Sequence, residues 1–304
     1  MIQVIVVHGR GTKPTPACKV GYVREVLTES VRRVDTKAGA WLTAHPRTIQ
    51  LVYYADLSRR LWKQPQEPCA GFRAPIERLY RDSRACPTWL KFRGAMKDLG
   101  TDATILLDRF LKRSVRLRLM AEQFADVLYY FRDHAFASLI RQRLQQLLVP
   151  ALRRHDQVLL IAHSLGSIVA YDVLWKLSHM SEYAWLRERR IEQFVTMGSP
   201  LGDRVVREHL LGWRYPQLQG YPSLVRCWDN LSARGDVVCH DAQIADDFRL
   251  MRRLGLLERL TDHPHLCTVY RGREGTWNPH KLYGYLILPE LGRLVARHVS
   301  AFKD

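Results

Sequence analysis

VLLIAHSLGS, residues 158–167, decides how the rest of the chain is read. Its first five residues are apolar and of strand length, the pattern of a central parallel strand buried on both faces. They run straight into His163, Ser164, Leu165 and Gly166 with no polar spacer, and residues 167–177 continue as an apolar helix. A strand that turns at once into a helix must fold back sharply, so the residue at the apex projects with a strained backbone. The positions two before and two after the apex come close together and must be small; here they are Ala162 and Gly166. This is the nucleophile-elbow pattern G-x-S-x-G, with Ser164 at the apex and alanine at the first small position. The turn also aims the backbone N–H of Leu165, at the start of the helix, to where a developing oxyanion is stabilised. The competing reading is a buried serine at an ordinary strand–helix junction, and the strand, turn and helix context favours the elbow.

Outward from that stretch, strands alternate with helices. Residues 2–7, 48–54, 193–197, 224–228 and 266–270 read as strands from their β-branched and aromatic content. Residues 19–34, 102–148 with a break near His134, and 282–299 read as helices. The pattern predicts an α/β fold, a mostly parallel central sheet with helices on both faces. With no repeat, low-complexity tract or linker, the expectation is one domain over residues 1–304 with a partly helical, Arg-rich insertion at about residues 55–100.

Composition excludes several classes. No apolar run approaches the length of a transmembrane helix, and the first residues lack the basic leader of a signal peptide, so the expectation is a cytoplasmic chain. The six cysteines are scattered without a CxxC pair or metal-ligand spacing, which predicts reduced thiols and no metal site. The unusual number is the charge, 47 basic against 30 acidic residues, net +17. Between residues 55 and 155 there are 20 Lys/Arg and 10 Asp/Glu. Arg109, Arg113 and Arg116, with Lys112 beside them, make a basic helical stripe; the solvated face of a surface helix outweighs a membrane-docking role for it. Such charge implies an anionic partner, whether phospholipid headgroups, a phosphorylated or acyl-carrier substrate, or nucleic acid; on charge alone, an Arg-rich composition that merely solubilises helices explains it equally well. Nucleic acid rests on charge alone, without a recognisable binding module.

The chain resembles the α/β-hydrolase superfamily, its lipase and esterase-like branch in particular. VVHGRG, AHSLGS, MGSPLG and NPHKLYGY carry the resemblance, and Ala162 in place of the first elbow glycine is the departure. It implies a serine hydrolase of carboxylic esters, whose acid and base follow the serine in the order Ser, Asp or Glu, His. A family segment similar to D-P-V points to Asp236 in Gly235-Asp236-Val237-Val238, where valine replaces proline. Asp229 is the second choice and Asp203 the third; most loop aspartates are turn or cap residues. The family's histidine, followed three residues later by tyrosine at the start of the last helix, points to His280. His298 lies inside the terminal helix, and His263 and His265 fall before the expected last strand, at the wrong end of the sheet. The residue after His-Gly is the family's second oxyanion donor, so the backbone N–H of Arg10 joins that of Leu165. Gly9 and Gly11 let this loop approach a substrate closely. His8 reads as a brace for the loop and His163 as a packed neighbour.

On that resemblance the chain needs no cofactor and takes a lipid or other acyl ester carrying negative charge, since MGSPL is similar to a segment of lipases and GPI inositol-deacylase-like hydrolases. Peripheral contact with an anionic membrane fits the same charge. A thioesterase or small-ester esterase uses the same machinery, and a non-catalytic hydrolase-fold binding protein is the reading from a different class.

Overall fold

The structure, a computed structural model, describes residues 1–11, 13–70, 76–84, 125–239, 241–268, 270–271 and 277–303. Six parallel strands form one sheet: β1 (Ile2–Val7), β2 (Ile49–Val52), β3 (Gln157–His163), β4 (Ile191–Met197), β5 (Val225–Ala233) and β6 (Arg259–Leu266), in the order β2-β1-β3-β4-β5-β6. Helices cover both faces, so the fold class is α/β as the alternation of elements predicts. From β1 the chain steps outward to β2, returns past β1 to β3, and then proceeds in one direction to β6. The order therefore reverses between β1 and β3, and in open α/β sheets the crevice at such a reversal, beyond the carboxyl ends of the strands, is where ligands bind.

The apolar run at the start of the elbow feeds both halves of the core. Leu160 and Ala162 pack with Ile5, Val7, Phe194 and Trp228 under the helices His134–Arg153 and Leu165–His179. Leu159 and Ile161 face the other way and pack with Val4, Val6, Val195 and Met197 under Pro16–Arg32 and Pro289–Phe302. Each strand residue thus removes its side chain from water on one face or the other, a burial worth about 1.5–3 kcal/mol per large aliphatic group. The register Val7↔Ala162 and His163↔Met197 brings the carboxyl ends of β1, β3 and β4 to one level.

Several boundaries differ from expectation for identifiable reasons. The last strand is Arg259–Leu266, not residues 266–270. Its His263-Pro264-His265 looks unlike a strand, but β6 is an edge strand, where a proline deprives no neighbour of a hydrogen bond. His265 has a positive φ of 59°, beside a register shift against β5. Strand β5 runs on to Ala233, past the expected end at Trp228. The terminal helix is two, Leu282–Leu286 and Pro289–Phe302: Pro289 has no N–H to continue the first and opens the second in the position proline favours. The break near His134 is the N-cap Asp133, whose carboxylate accepts from the Phe136 amide. The helix Thr36–Ala44, capped by Asp35, was not anticipated.

Within the expected insertion the structure has helices Ala55–Trp62 and Ile76–Arg84; residues 71–75 and 85–100, and the basic stripe at Arg109, Lys112, Arg113 and Arg116, lie outside the described residues. The expectation of reduced thiols fails at Cys267, which is disulfide-bonded, while Cys227 and Cys239 carry free thiols. Disulfide geometry is set by how the fold brings two cysteines together, which their scattered spacing does not reveal. Among the described residues no helix is long and apolar enough to cross a membrane.

Candidate active site

At the carboxyl end of β3 the backbone of Ser164 adopts φ 57°, ψ −129°, a region costing a non-glycine residue about 1–3 kcal/mol. The surroundings hold it there. Its N–H donates to the Met197 carbonyl at 3.1 Å, and its carbonyl accepts from the Ser167 amide at 2.9 Å and the Ser167 hydroxyl at 2.6 Å. A Cβ added at Gly166 would come within 2.7 Å of the His8 carbonyl oxygen and 2.8 Å of that of Val7, so only glycine lets the new helix cross β1 this closely. Ala162 is fully buried on the core face. Leu165 is the first residue of the helix, so its N–H has no acceptor within that helix.

His280 reaches this serine from the turn before the helix Leu282–Leu286. The side chain of Asn278 accepts from the His280 amide at 3.1 Å, and the Pro279 carbonyl accepts from the Thr268 hydroxyl at 2.7 Å, fixing the turn. The Ser164 hydroxyl lies 2.9 Å from Nε2 of His280. On the other side of the ring Nδ1 is 2.9 Å and 3.0 Å from the two carboxylate oxygens of Asp236. The carboxylate assigns the proton to Nδ1, leaving Nε2 to accept from the serine.

Asp236 follows β5 in a tight turn in which Gly235 has φ +75°. Its carboxylate is buried and accepts from the Val238 amide at 3.0 Å and from the Tyr285 hydroxyl at 2.7 Å. Burial pushes its pKa up, but the hydrogen bonds from His280, Tyr285 and Val238 and the charge of His280 outweigh it and hold the carboxyl below its usual value. The anionic form is thus favoured beside the imidazole. Gly198, at φ +51°, completes the packing: a Cβ there would lie 2.8 Å from Asp236 Oδ2 and 3.1 Å from His280 Nδ1.

The loop after β1 closes the site from the other strand. A Cβ at Gly9 would meet Cβ of Ser164 and Nδ1 of His163, both at 2.8 Å, so the backbone passes directly over the serine. Arg10 follows, exposed, and Gly11 has φ +82°. His8 braces this loop: Nδ1 donates to the Gly9 carbonyl at 2.6 Å, Nε2 accepts from the Tyr54 amide at 3.3 Å, and its own carbonyl accepts from the Tyr54 hydroxyl. Burial, reinforced by Lys13 and Lys19, lowers the pKa of His8 well below normal. His163 donates through Nε2 to the His280 carbonyl at 2.8 Å and packs its ring 4.7 Å from that of His280; burial, then the nearby His280, pushes its pKa down.

The structure therefore brings Ser164, His280 and Asp236 into one hydrogen-bonded series and sets Gly9, Arg10 and Leu165 around it. It does not bring Asp229 or Asp203 there. Asp229 lies inside β5, not in a loop, and accepts from both Nη atoms of Arg259, from Gln193 and from Nε2 of His263. These bonds overcome burial and bring its pKa to about 2. His263, set aside as preceding the strand, is thus within β6 but engaged with Asp229. Asp203 caps the helix Arg204–Arg207 through the amides of Val205 and Val206. His298 donates to the Gln157 carbonyl at 3.2 Å. Tyr285 and Gly198 are the neighbours that sequence reasoning missed; MGSPLG and the double tyrosine of LYGY were the available signals, and the resemblance pointed to Tyr283, which instead accepts from Lys19. No group of three or more His, Cys, Asp or Glu among the described residues is placed to hold a metal ion.

Compared with known proteins, residues 140–212 match the lecithin:cholesterol acyltransferase family, a lipase and acyltransferase family of the α/β-hydrolase class. The matched segment runs from the helix before β3 through the elbow to the loop after β4. No curated protein and no solved structure matches the chain.

Proposed function

We propose that the chain is a serine hydrolase that cleaves carboxylic esters through an acyl-enzyme, acting on a lipid or another acyl substrate that carries negative charge. The observation that carries this reading is the 2.9 Å approach of Ser164 Oγ to His280 Nε2, with Nδ1 on the buried carboxylate of Asp236. Serine is a weak nucleophile at its free pKa. As it attacks an acyl carbonyl, His280 takes its proton, and Asp236 orients and stabilises the imidazolium. The amides of Leu165 and Arg10 hold the oxyanion, at about 3 kcal/mol of transition-state stabilisation for each donor. His280 returns the proton to the leaving alcohol, and a water, deprotonated by the same imidazole, releases the acid.

The match to a lipid acyltransferase family supports the lipid-ester class, and the net charge of +17 supports an anionic substrate or membrane surface. An alcohol in place of the water turns the same intermediate to acyl transfer, a second reading favoured by that family match. On this proposal residues 55–100 are an insertion in a single hydrolase domain.

The test is labelling by a fluorophosphonate probe and turnover of p-nitrophenyl esters and anionic phospholipids. Wild type is expected to label and turn over; Ser164→Ala, folded as judged by circular dichroism, is expected to do neither, and Asp236→Asn to lose about four orders of magnitude in kcat. Equal activity in wild type and Ser164→Ala sinks the proposal.

A further inference from the structure

The peptide planes of the loop after β1 are held one by one. In a trans peptide the C=O and the following N–H point in opposite directions, so fixing one fixes the other. The Gly9 carbonyl shares its peptide unit with the Arg10 amide, and His8 Nδ1 holds that carbonyl at 2.6 Å. The next unit joins the Arg10 carbonyl to the Gly11 amide. Its carbonyl accepts from Lys13 Nζ at 2.6 Å, and its N–H donates to Asp126 Oδ2 at 2.7 Å. The Arg10 amide therefore belongs to one clamped unit and is followed directly by a second.

Asp126 is the distant member of this clamp. It lies in the first turn of the helix Ala125–Arg132, 115 positions along the chain from Gly11, and is only 5% exposed. Its other oxygen accepts from Trp62 Nε1, at the end of the helix Ala55–Trp62, at 2.6 Å. One buried carboxylate thus ties the loop to two helices that the chain places far from it. Hydrogen bonds from an amide to an ionised carboxylate are shorter and stronger than neutral ones. Gly11, at φ +82°, has no Cβ to restrict it, and an unheld glycine turns freely between conformations.

We propose that Asp126 is a positioning residue for the oxyanion donor: by holding the Gly11 amide it fixes the peptide that follows Arg10, and so keeps the Arg10 N–H aimed at the carbonyl attacked by Ser164. The inference rests on the esterase reading above. Asp126 touches no reacting atom. Its effect falls on the transition state, where the oxyanion develops, more than on substrate binding.

The test compares wild type, Asp126→Ala and Asp126→Asn on a p-nitrophenyl ester and, in single turnover, in phosphonylation of Ser164 by a fluorophosphonate, whose trigonal-bipyramidal transition state sets its phosphoryl oxygen on the same donors. Asp126→Ala is expected to lower kcat by about 10–100-fold, with KM changed less than about threefold, and to slow phosphonylation in parallel. Asp126→Asn, which keeps one neutral acceptor for Gly11, is expected to recover part of that loss; it carries the test alone if the alanine variant does not fold, a kcat loss of about threefold or more then supporting the role. A folded variant with wild-type kcat and phosphonylation rate, or one whose defect lies only in KM, overturns it. If wild type itself neither labels nor turns over, the esterase reading fails, a result distinct from failure of the variants alone.

Discussion

Tyr285 donates its hydroxyl proton to Oδ2 of Asp236 at 2.7 Å, and the same oxygen of Tyr285 accepts the Ala233 amide at 2.9 Å. One buried hydroxyl therefore ties the end of β5 to the carboxylate that orients His280. Removing it in Tyr285→Phe leaves a buried N–H unpaired, which costs about 1–3 kcal/mol, and takes one donor from a carboxylate that burial already disfavours. We expect a lower melting temperature together with a fall in kcat/KM of up to about tenfold, seen by thermal denaturation and steady-state kinetics on one preparation. A variant with unchanged stability would contradict the bond to Ala233.

The elbow was legible because three independent signals coincide in ten residues: an apolar run, small residues flanking Ser164, and an immediate helix. Asp236 and His280 were reachable only through the resemblance, one by its D-P-V-like segment and the other by the tyrosine three residues on, because nothing local to either residue says that it meets Ser164. What the sequence hid is the partnering of polar strand residues. Asp229, Asn230 and Ser232 look like a loop after Trp228, yet all three are buried in β5. Asn230 there is bonded to Thr196 and Asp262, and Asp229 to Arg259 and His263. A buried polar group is stable in a strand once it is satisfied, and its partners come from neighbouring strands no local pattern announces. Pro264 misled in the same way, since its tolerance depends on β6 being an edge.

Gly198 is a position where adding one carbon should damage the site without touching the core. Its φ of +51° disfavours any side chain, and the added Cβ would lie 2.8 Å from Asp236 Oδ2 and 3.1 Å from His280 Nδ1. Both contacts are well inside van der Waals distance, so the carboxylate and the imidazole must move apart. Misplacement of a reacting group by about 1 Å can cost 100-fold in rate. Gly198→Ala is expected to lose about that much kcat and about 1–2 kcal/mol of stability from the positive φ, measured by ester hydrolysis and urea denaturation. Wild-type turnover would show that the pair tolerates the extra carbon.

His298 gives a pH prediction far from the site. Its pKa is lowered from 6.5 to about 4, chiefly by burial, with the bond to the Gln157 carbonyl opposing. The unfolded chain therefore takes up this proton first as pH falls. Stability from the neutral ring is complete above about pH 6.5 and is lost progressively as pH falls towards 4, a linkage of up to about 3 kcal/mol. Asp172 and Asp247, both raised to about 6 by burial, act in the opposite sense over nearly the same range, so the net acid response of wild type mixes the two. His298→Gln separates them, because it keeps a donor for Gln157 and removes only the titration. The variant is expected to be no more stable than wild type at pH 7.5 and to gain about 2–3 kcal/mol relative to it by pH 4, read as the difference between two denaturation series. A difference that stays constant with pH would mean that His298 is not held neutral by its burial.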